Sequence, residues 1–415
     1  MNNDPSSAAQ LKPCGEVWHP AAGTQKPWLT TRTARKDLNR TVEGAQAKIL
    51  QIGNYPPPVC GWAIQTKLLV EEIRRRGHVC DVLNLGENRK RKSNEYINVR
   101  NGFDYLYKVI LFALKDYRFQ VHVNGQSATG YILALIAAFV GWFGGRRVAL
   151  SWRGGLQQRY FPRLEDRWVR WAFQLLFRLS GQISCNNVAV KQAIERYGVD
   201  PWRVVAIPGF SKQHLDFQQA PLALEVETFL KTHHPAFFCY VSFRPEYRLP
   251  MLREAMLQFH QRYPKAGFIW LGFPSKELPA ARDFVDKWPA QECQSLLLLG
   301  NLTHNEFLTL LHRCSACIRT PTCDGVSASV LESLALGVPV VASQNNHRPR
   351  NVTTYREGDA ADLCAKLIRV TEQRTQAIEP TRLDDREDNI ARTVDWLLGT
   401  SASQAEPRRG LVHVG

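Results

Sequence analysis

"TCDGVSASVLESLALGVPVVAS", residues 322–343, holds one helix and one strand, and their order decides the architecture. Ser327 or Ser329 can cap the helix start, Val330, Leu331, Leu334 and Ala335 recur at helical spacing, and Gly337 with Pro339 stops it. "VPVVA" (338–342) then reads as a buried strand, a short apolar run bounded by turn signals. Loop, helix, glycine stop and apolar strand make one unit of a layered α/β fold. Two carboxylates sit oddly in that unit. Asp324 precedes the small polar run, and Glu332 lies inside the apolar pattern.

The same rhythm extends in both directions. Towards the N-terminus, strands are expected at 48–54, 78–85, 119–125, 146–152, 181–186 and 204–209, with helical patterns between them. Towards the C-terminus the alternation restarts, with strands at 237–242, 267–272, 295–300, 316–321 and 338–343 and helices centred near 255, 283, 308, 332 and 366. Residues 208–235 between the two runs read as irregular. Alternating strands and helices imply parallel sheets built from right-handed βαβ units. The expected fold is therefore α/β, with two Rossmann-like domains whose parallel sheets face a central cleft. A chain of 415 residues is long enough for two such cores. Expected boundaries are 47–210 and 211–382, followed by a C-terminal helix at 383–399. Residues 1–46 and 400–415 are polar and aperiodic and read as disordered tails.

Composition narrows the class. The longest apolar run, Gly130 to Gly145, is shorter than the roughly 18–20 residues a spanning helix needs, so it reads as a buried helix. Ten cysteines without a framework suit a reducing, cytoplasmic compartment. Cys314 and Cys317 have knuckle spacing but no second pair, and read as structural. Net charge is +15, and its placement is uneven. Residues 1–210 hold 30 Lys and Arg against 15 Asp and Glu, whereas residues 211–415 hold 23 of each. The basic first half, including "RRR" (74–76) and "RKRK" (89–92), suggests peripheral docking on an anionic membrane surface. The same charge admits nucleic-acid binding, but the aromatics of "RWVRWAFQLLFR" (167–178) fall at helical spacing and read as core. No nucleic-acid partner is expected.

Ligands of open α/β sheets bind beyond the carboxyl ends of the strands, so four loops carry the candidate site. Gly61 opens a helix after the first strand and lets backbone N–H groups approach an anion. Arg153 stands beside Gly154 and Gly155, and Arg244 and Arg248 follow the first strand of the second half. An arginine fork there suits a phosphate or carboxylate. In the opening stretch the helix start from Gly325 through Val326, Ser327, Ala328 and Ser329 is an anion site flanked by Asp324 and Glu332. Two carboxylates would repel a bare anion. They fit a ligand that is anionic in the middle and bears hydroxyls at both ends, as a nucleotide sugar does.

"PTCDGVSASVLESLALGVPVVAS" resembles the donor-binding signature of retaining family-4 glycosyltransferases of GT-B fold. That signature has two acidic residues separated by seven others, followed by a Gly-x-Pro-Val-Val-Ala-Ser strand. Here the acids are Asp324 and Glu332, the first a methylene shorter than the usual Glu. The resemblance spans most of residues 48–375. It implies that Asp324 contacts the transferred hexose and Glu332 the ribose. It further implies that the backbone from Gly325 to Ser329, with Arg244 or Arg248, holds the diphosphate, while Gly61 and Arg153 face the reaction centre. The family's Arg-x4-Lys clamp has no clean counterpart, because Arg244 and Arg248 stand at a different spacing. The implied reaction moves a hexose to a glycan or lipid-linked acceptor in polysaccharide or glycoconjugate biosynthesis, with no metal and no further cofactor. Epimerases and phosphorylases acting on sugar nucleotides share the fold and form the alternative. Removing residues 1–46 is expected to leave the melting temperature nearly unchanged; a large drop in a thermal melt would mean that they join the core.

Overall fold

A computed structural model describes residues 46–57, 60–156, 158–273, 277–323, 327–346, 348–373 and 388–400. The first sheet begins with β1 (Lys48–Gly53), whose residues are buried from Ile49 onward. An apolar run buried on both sides is what a parallel sheet covered by helices requires. Then follow α1 (Gly61–Arg75), β2 (Val79–Asn84), α2 (Gly102–Leu114), β3 (Arg118–Val123) and α3 (Ala128–Phe143). The run ends with β4 (Ala149–Trp152), α4 (Arg167–Leu179), β5 (Gln182–Cys185), α5 (Val188–Glu195) and β6 (Val204–Ala206). All pairings are parallel, in the order β2-β1-β3-β4-β5-β6. The order reverses between β1 and β3, so a crevice opens beyond their carboxyl ends.

The second sheet is preceded by α6 (Leu224–Thr232). It runs through β7 (Ala236–Tyr240), α7 (Leu249–His260), β8 (Gly267–Leu271), α8 (Leu278–Val285), α9 (Ala290–Cys293) and β9 (Leu296–Gly300). After these come α10 (His304–Arg313), β10 (Ala316–Arg319), α11 (Ala328–Ala335), β11 (Val340–Ser343), β12 (Thr353–Tyr355) and α12 (Ala360–Gln373). Its order is β12-β11-β10-β7-β8-β9, again all parallel, with the reversal between β7 and β10. Cys314 and Cys317 are both fully buried against this sheet.

Local chemistry explains most helix starts. The side chains of Asn101, Ser127, Asp166, Asn187 and Thr303 each accept a hydrogen bond from a first-turn amide of α2, α3, α4, α5 and α10. At Thr303 the partner Glu306 closes a reciprocal capping box.

Two elements differ from the sequence expectation, as does one surface. The stretch expected to be irregular contains α6, which has Ala223 at its cap and buries only Val226 and Phe229. So short and weakly capped a helix is marginal alone, and it is held by Phe229 lying against Gly267 and by a Glu227–Arg313 ion pair to α10. β12 spans three residues, too few for a periodic signal. On α4, Phe173 and Phe177 enter the core as expected, but Trp168 and Trp171 do not. They are 82% and 60% exposed.

The final helix, α13 (Asn389–Leu398), packs on α1 of the first sheet, with Ile390, Val394 and Trp396 joining Leu69, Val70 and Ile73 in one buried cluster. The Asn389 amide donates to the Phe210 carbonyl at 2.8 Å, and Arg76 pairs with Asp395. The expected helix start at 383–387 lies outside the described residues. Ile390 is 1% exposed, and removing its side chain leaves a cavity, so Ile390→Ala is expected to cost about 2–4 kcal/mol in a denaturant titration. A loss under about 0.5 kcal/mol, the scale of an ordinary surface change, would show that α13 is peripheral to the fold.

Candidate functional site

Both topological reversals look onto one cavity of about 240 Å³. The first sheet contributes the loop after β1, with Cys60, Gly61, Trp62 and Gln65, and the residues after β4 and β5, Arg153 and Asn186. The second contributes Tyr240 at the end of β7, Tyr247, Arg319 at the end of β10, His304 and the start of α11.

Two helices point their N-termini at this space. A Cβ on Gly61, the first residue of α1, would lie 2.8 Å from the Ala328 Cβ, the first residue of α11. Glycine is therefore needed where the two elements meet. Neither helix has a side-chain cap, unlike α2 to α5 and α10. The partial positive charge at each of these helix starts favours an anion.

Glu332, the carboxylate that sat oddly in an apolar helix, is 4% exposed and lines the cavity. Its Oε1 accepts from His304 Nε2 at 3.0 Å. Arg319 is 7% exposed, and its guanidinium stacks over the Tyr240 and Tyr247 rings at 5.0 and 5.3 Å while Nη1 donates to the Tyr240 carbonyl. A charged arginine sandwiched by aromatics keeps its planar fork fixed.

Arg153 is held from behind by a chain of buried polar groups. Its Nε donates to His122 Nδ1 at 3.1 Å, and His122 Nε2 meets Gln51 Oε1 at 2.7 Å. Gln51 Nε2 donates to Gln120 Oε1, Gln120 Nε2 donates to Ser151 Oγ, and Ser151 Oγ meets Ser184 Oγ. An arginine can only donate, so His122 must accept at Nδ1 and carry its proton at Nε2. Every later member is then oriented in turn. Gly154 lets this loop close, since a Cβ there would stand 2.2 Å from the Asn124 carbonyl oxygen. Burial lowers the Arg153 guanidinium to about 9, which leaves it charged at neutral pH.

Among the described residues, three that line the cavity have a buried polar atom without a partner: Arg153 Nη2, Trp62 Nε1 and Asn186 Oδ1. Asn186 spends its other end donating to the Arg153 carbonyl at 3.0 Å. Buried donors and acceptors are nearly always paired, so three such atoms on residues that line one cavity single it out as a place for a polar ligand.

The structure thus brings Gly61, Arg153, Ser327, Ala328, Ser329 and Glu332 together. Asp324, Gly325 and Val326 lie outside the described residues; the neighbouring Cys323 carbonyl accepts from Gln158 Nε2 of the first half at 3.1 Å. Arg244 and Arg248 are not among the cavity-lining side chains. Each stands more exposed and faces a carboxylate, Arg244 with Glu277 at 3.8 Å and Arg248 with Glu357 at 2.5 Å. Sequence reading did not single out Arg319, His304, His122 or Asn186. Arg319 had a signal: it is the one charge in the apolar strand "ACIR". Among the described residues no cluster of three or more His, Cys, Asp or Glu is arranged to hold a metal ion.

No family model matches the chain, and no curated protein matches it in sequence. Solved structures do match in fold. HepE from Anabaena, solved with UDP-glucose, superposes with a TM-score of 0.63 at 13% identity, covering 85% of this chain and 99% of that one. A glycosyltransferase from Rickettsia africae gives 0.57 at 13%, covering 85% and 96%. The UDP-GlcNAc 2-epimerase of Methanocaldococcus jannaschii gives 0.53 at 14%, covering 84% and 99%. The fold is of GT-B type, two Rossmann-like layers with parallel six-stranded sheets.

Burial, then the Arg153 charge, lowers His122 well below its ordinary 6.5. The unfolded chain takes up a proton there that the folded chain refuses. This contribution to stability is therefore intact above about pH 6.5 and is lost as pH falls below it. Buried His214 is lowered in the same direction and adds to the loss. Glutamine at 122 could accept from Arg153 and donate to Gln51 without titrating. His122→Gln is expected to flatten the fall in melting temperature between about pH 6.5 and 5; an unchanged slope would remove His122 from the titration.

Proposed function

We propose that the protein is a retaining glycosyltransferase that moves a hexose from a nucleotide-diphosphate sugar to a glycan or lipid-linked acceptor, at the cytoplasmic face of a membrane. One observation carries this reading: buried Glu332 and Arg153, whose Nη2 is unpaired among the described residues, line one cavity from opposite sheets, beside two helix starts without side-chain caps. Cations and free amides suit a diphosphate, and a buried carboxylate suits the hydroxyls of a ribose. In this assignment Glu332, fixed by His304, takes the ribose. The amides from Gly325 to Ser329 and the Arg319 fork take the diphosphate, a role for which Arg319 is better situated than Arg244 or Arg248. Asp324 takes hydroxyls of the hexose, and Arg153 and Gly61 approach the reacting carbon from the first sheet.

The anomeric carbon loses its bond to the departing phosphate oxygen and gains one to the acceptor oxygen on the same face. The acceptor proton passes to the departing diphosphate. Catalysis of this kind rests on positioning and on stabilising the leaving group, with no metal and no covalent nucleophile.

A second reading has a specific basis, since UDP-GlcNAc 2-epimerases share the fold at similar superposition. Incubation with a panel of UDP-sugars without acceptor separates the two: an epimerised sugar nucleotide would overturn the transfer reading. Residue roles are tested by substitution. A charge-assisted hydrogen bond contributes roughly 1.5–3 kcal/mol, so Glu332→Gln is expected to weaken nucleoside-diphosphate binding and donor use about ten- to a hundredfold. Asp324→Asn is expected to impair transfer while leaving nucleoside-diphosphate affinity nearly intact, because that ligand lacks the hexose. Equal losses for both ligands in calorimetric titrations would refute the division of roles.

A further inference from the structure

The large hydrophobic side chains exposed on this protein are not scattered. Of the fourteen found among the described residues, ten lie on α2, α3 and α4. These helices lie side by side on one face of the first sheet. Tyr105 of α2 donates to the Leu133 carbonyl of α3 at 2.8 Å, and Tyr131 of α3 donates to the Ala172 carbonyl of α4 at 2.7 Å.

α2 is apolar on both sides. Tyr105, Val109 and Phe112 face the sheet, while Phe103, Leu106, Tyr107, Ile110 and Leu114 form a second stripe facing away from it. Phe103 is 87% and Leu114 81% exposed. α3 adds Trp142 and Phe143 at its end, and α4 adds Trp168 and Trp171. Scattered exposed hydrophobics need no explanation, but a contiguous patch of aromatic and aliphatic side chains marks an interaction surface.

Charge identifies the occupant. Residues 100–180 carry twelve Lys and Arg against four Asp and Glu. Two of those four acids are matched locally, Asp104 with Lys108 and Asp116 with Arg146. On α4 the exposed tryptophans alternate with exposed Arg167, Arg170 and, a turn or two further on, Arg178. A second copy docked on the same face by two-fold symmetry would bring two surfaces of the same positive excess together, a repulsive arrangement. Tryptophan and tyrosine at headgroup depth, Phe and Leu below them and arginine among the phosphates is the arrangement of a helix lying in a bilayer interface.

We propose that the outer face of α2, α3 and α4 is a monotopic docking surface for an anionic lipid bilayer. No helix among the described residues is long and apolar enough to cross a membrane, so the contact is with one leaflet. The surface is distinct from the basic run at 74–76, whose arginines are engaged by the Cys80 carbonyl, Glu72 and Asp395. α3 and α4 start at the carboxyl ends of β3 and β4, the side on which Arg153 lies, so the docked face runs up to the mouth of the cavity. An acceptor anchored in the leaflet would then reach the site without leaving the bilayer. The inference deepens the acceptor side of the proposed function and does not depend on the donor site.

The test uses the full chain with two sets of vesicles, phosphatidylcholine alone and phosphatidylcholine enriched in phosphatidylglycerol. Pelleting is expected with the second set, weakening as salt rises. Brominated acyl chains should quench tryptophan fluorescence. A Trp168→Ser, Trp171→Ser, Phe103→Ser variant is expected to lose at least about tenfold in vesicle affinity and most of the quenching, with melting temperature and nucleotide-sugar binding unchanged. Equal pelleting by the variant, absence of pelleting by the parent, or a parent dimer that the variant dissolves in sedimentation velocity would each overturn the proposal. Nucleotide-sugar binding is read separately by thermal shift, so a failed donor assignment and a failed docking surface give different results.

Discussion

The site depends on the approach of two helix N-termini, one from each sheet. Gly61 and Ala328 come so close that a single added methyl on the first would collide with the second. At that separation the first turns of α1 and α11 share one space, and their partial positive charges add instead of acting on separate surfaces. Other parts of the site are arranged around this convergence. The Gln158 side chain reaches across to the Cys323 carbonyl beside it, and Arg153 and Arg319 add full cations to the two partial ones.

Bringing four sources of positive character together is unfavourable without compensation. Part of the compensation is internal. Arg319 is spread over two aromatic faces, and Glu332 supplies a buried negative charge steadied by His304. Among the described residues Arg153 has no such partner: its Nε is hydrogen-bonded to a neutral histidine and its Nη2 is unpaired. A directed chain from Arg153 to Ser184 fixes the donor's position but cannot neutralise it, because every member beyond the arginine is uncharged when His122 is neutral. Such a group is destabilising in the empty protein and favourable once an anion arrives, which is how a preorganised site is built. The polar interior of the first sheet has the same origin. Gln51, Gln120, Ser151 and Ser184 occupy strand positions that would otherwise be apolar, and each is buried.

The two outer surfaces of the first layer are used differently. On one side α13 returns from the second half and covers α1, joining a buried cluster with Leu69 and Val70. On the other side no described element covers the outer stripe of α2, although its inner stripe packs normally. The asymmetry is one of composition as much as of topology: α13 places Ile390 and Val394 against the sheet layer, while α4 places tryptophan and arginine outward.

Sequence by itself determined the α/β class, the parallel sheets and eleven of the twelve strands among the described residues, because a strand buried on both faces leaves a continuous apolar run bounded by turn residues. It also marked Glu332, since a carboxylate within an apolar helical stripe contradicts its surroundings. Tertiary structure decided what periodicity does not encode. α6 and β12 are too short to produce a pattern and exist through docking. Trp168 and Trp171 fall on the helix face opposite the core residues Phe173 and Phe177, and because both faces of α4 are aromatic only its packing on the sheet decides which one is buried. The cationic lining went the same way. Arg244 and Arg248 looked suitable because they follow a strand, yet nearby carboxylates engage them at the rim. Arg319, within a strand, reaches the cavity because β10 ends at the reversal of the second sheet. Sequence states which residues lie at strand ends, but strand order, a property of the assembled sheet, determines which ends face the cleft.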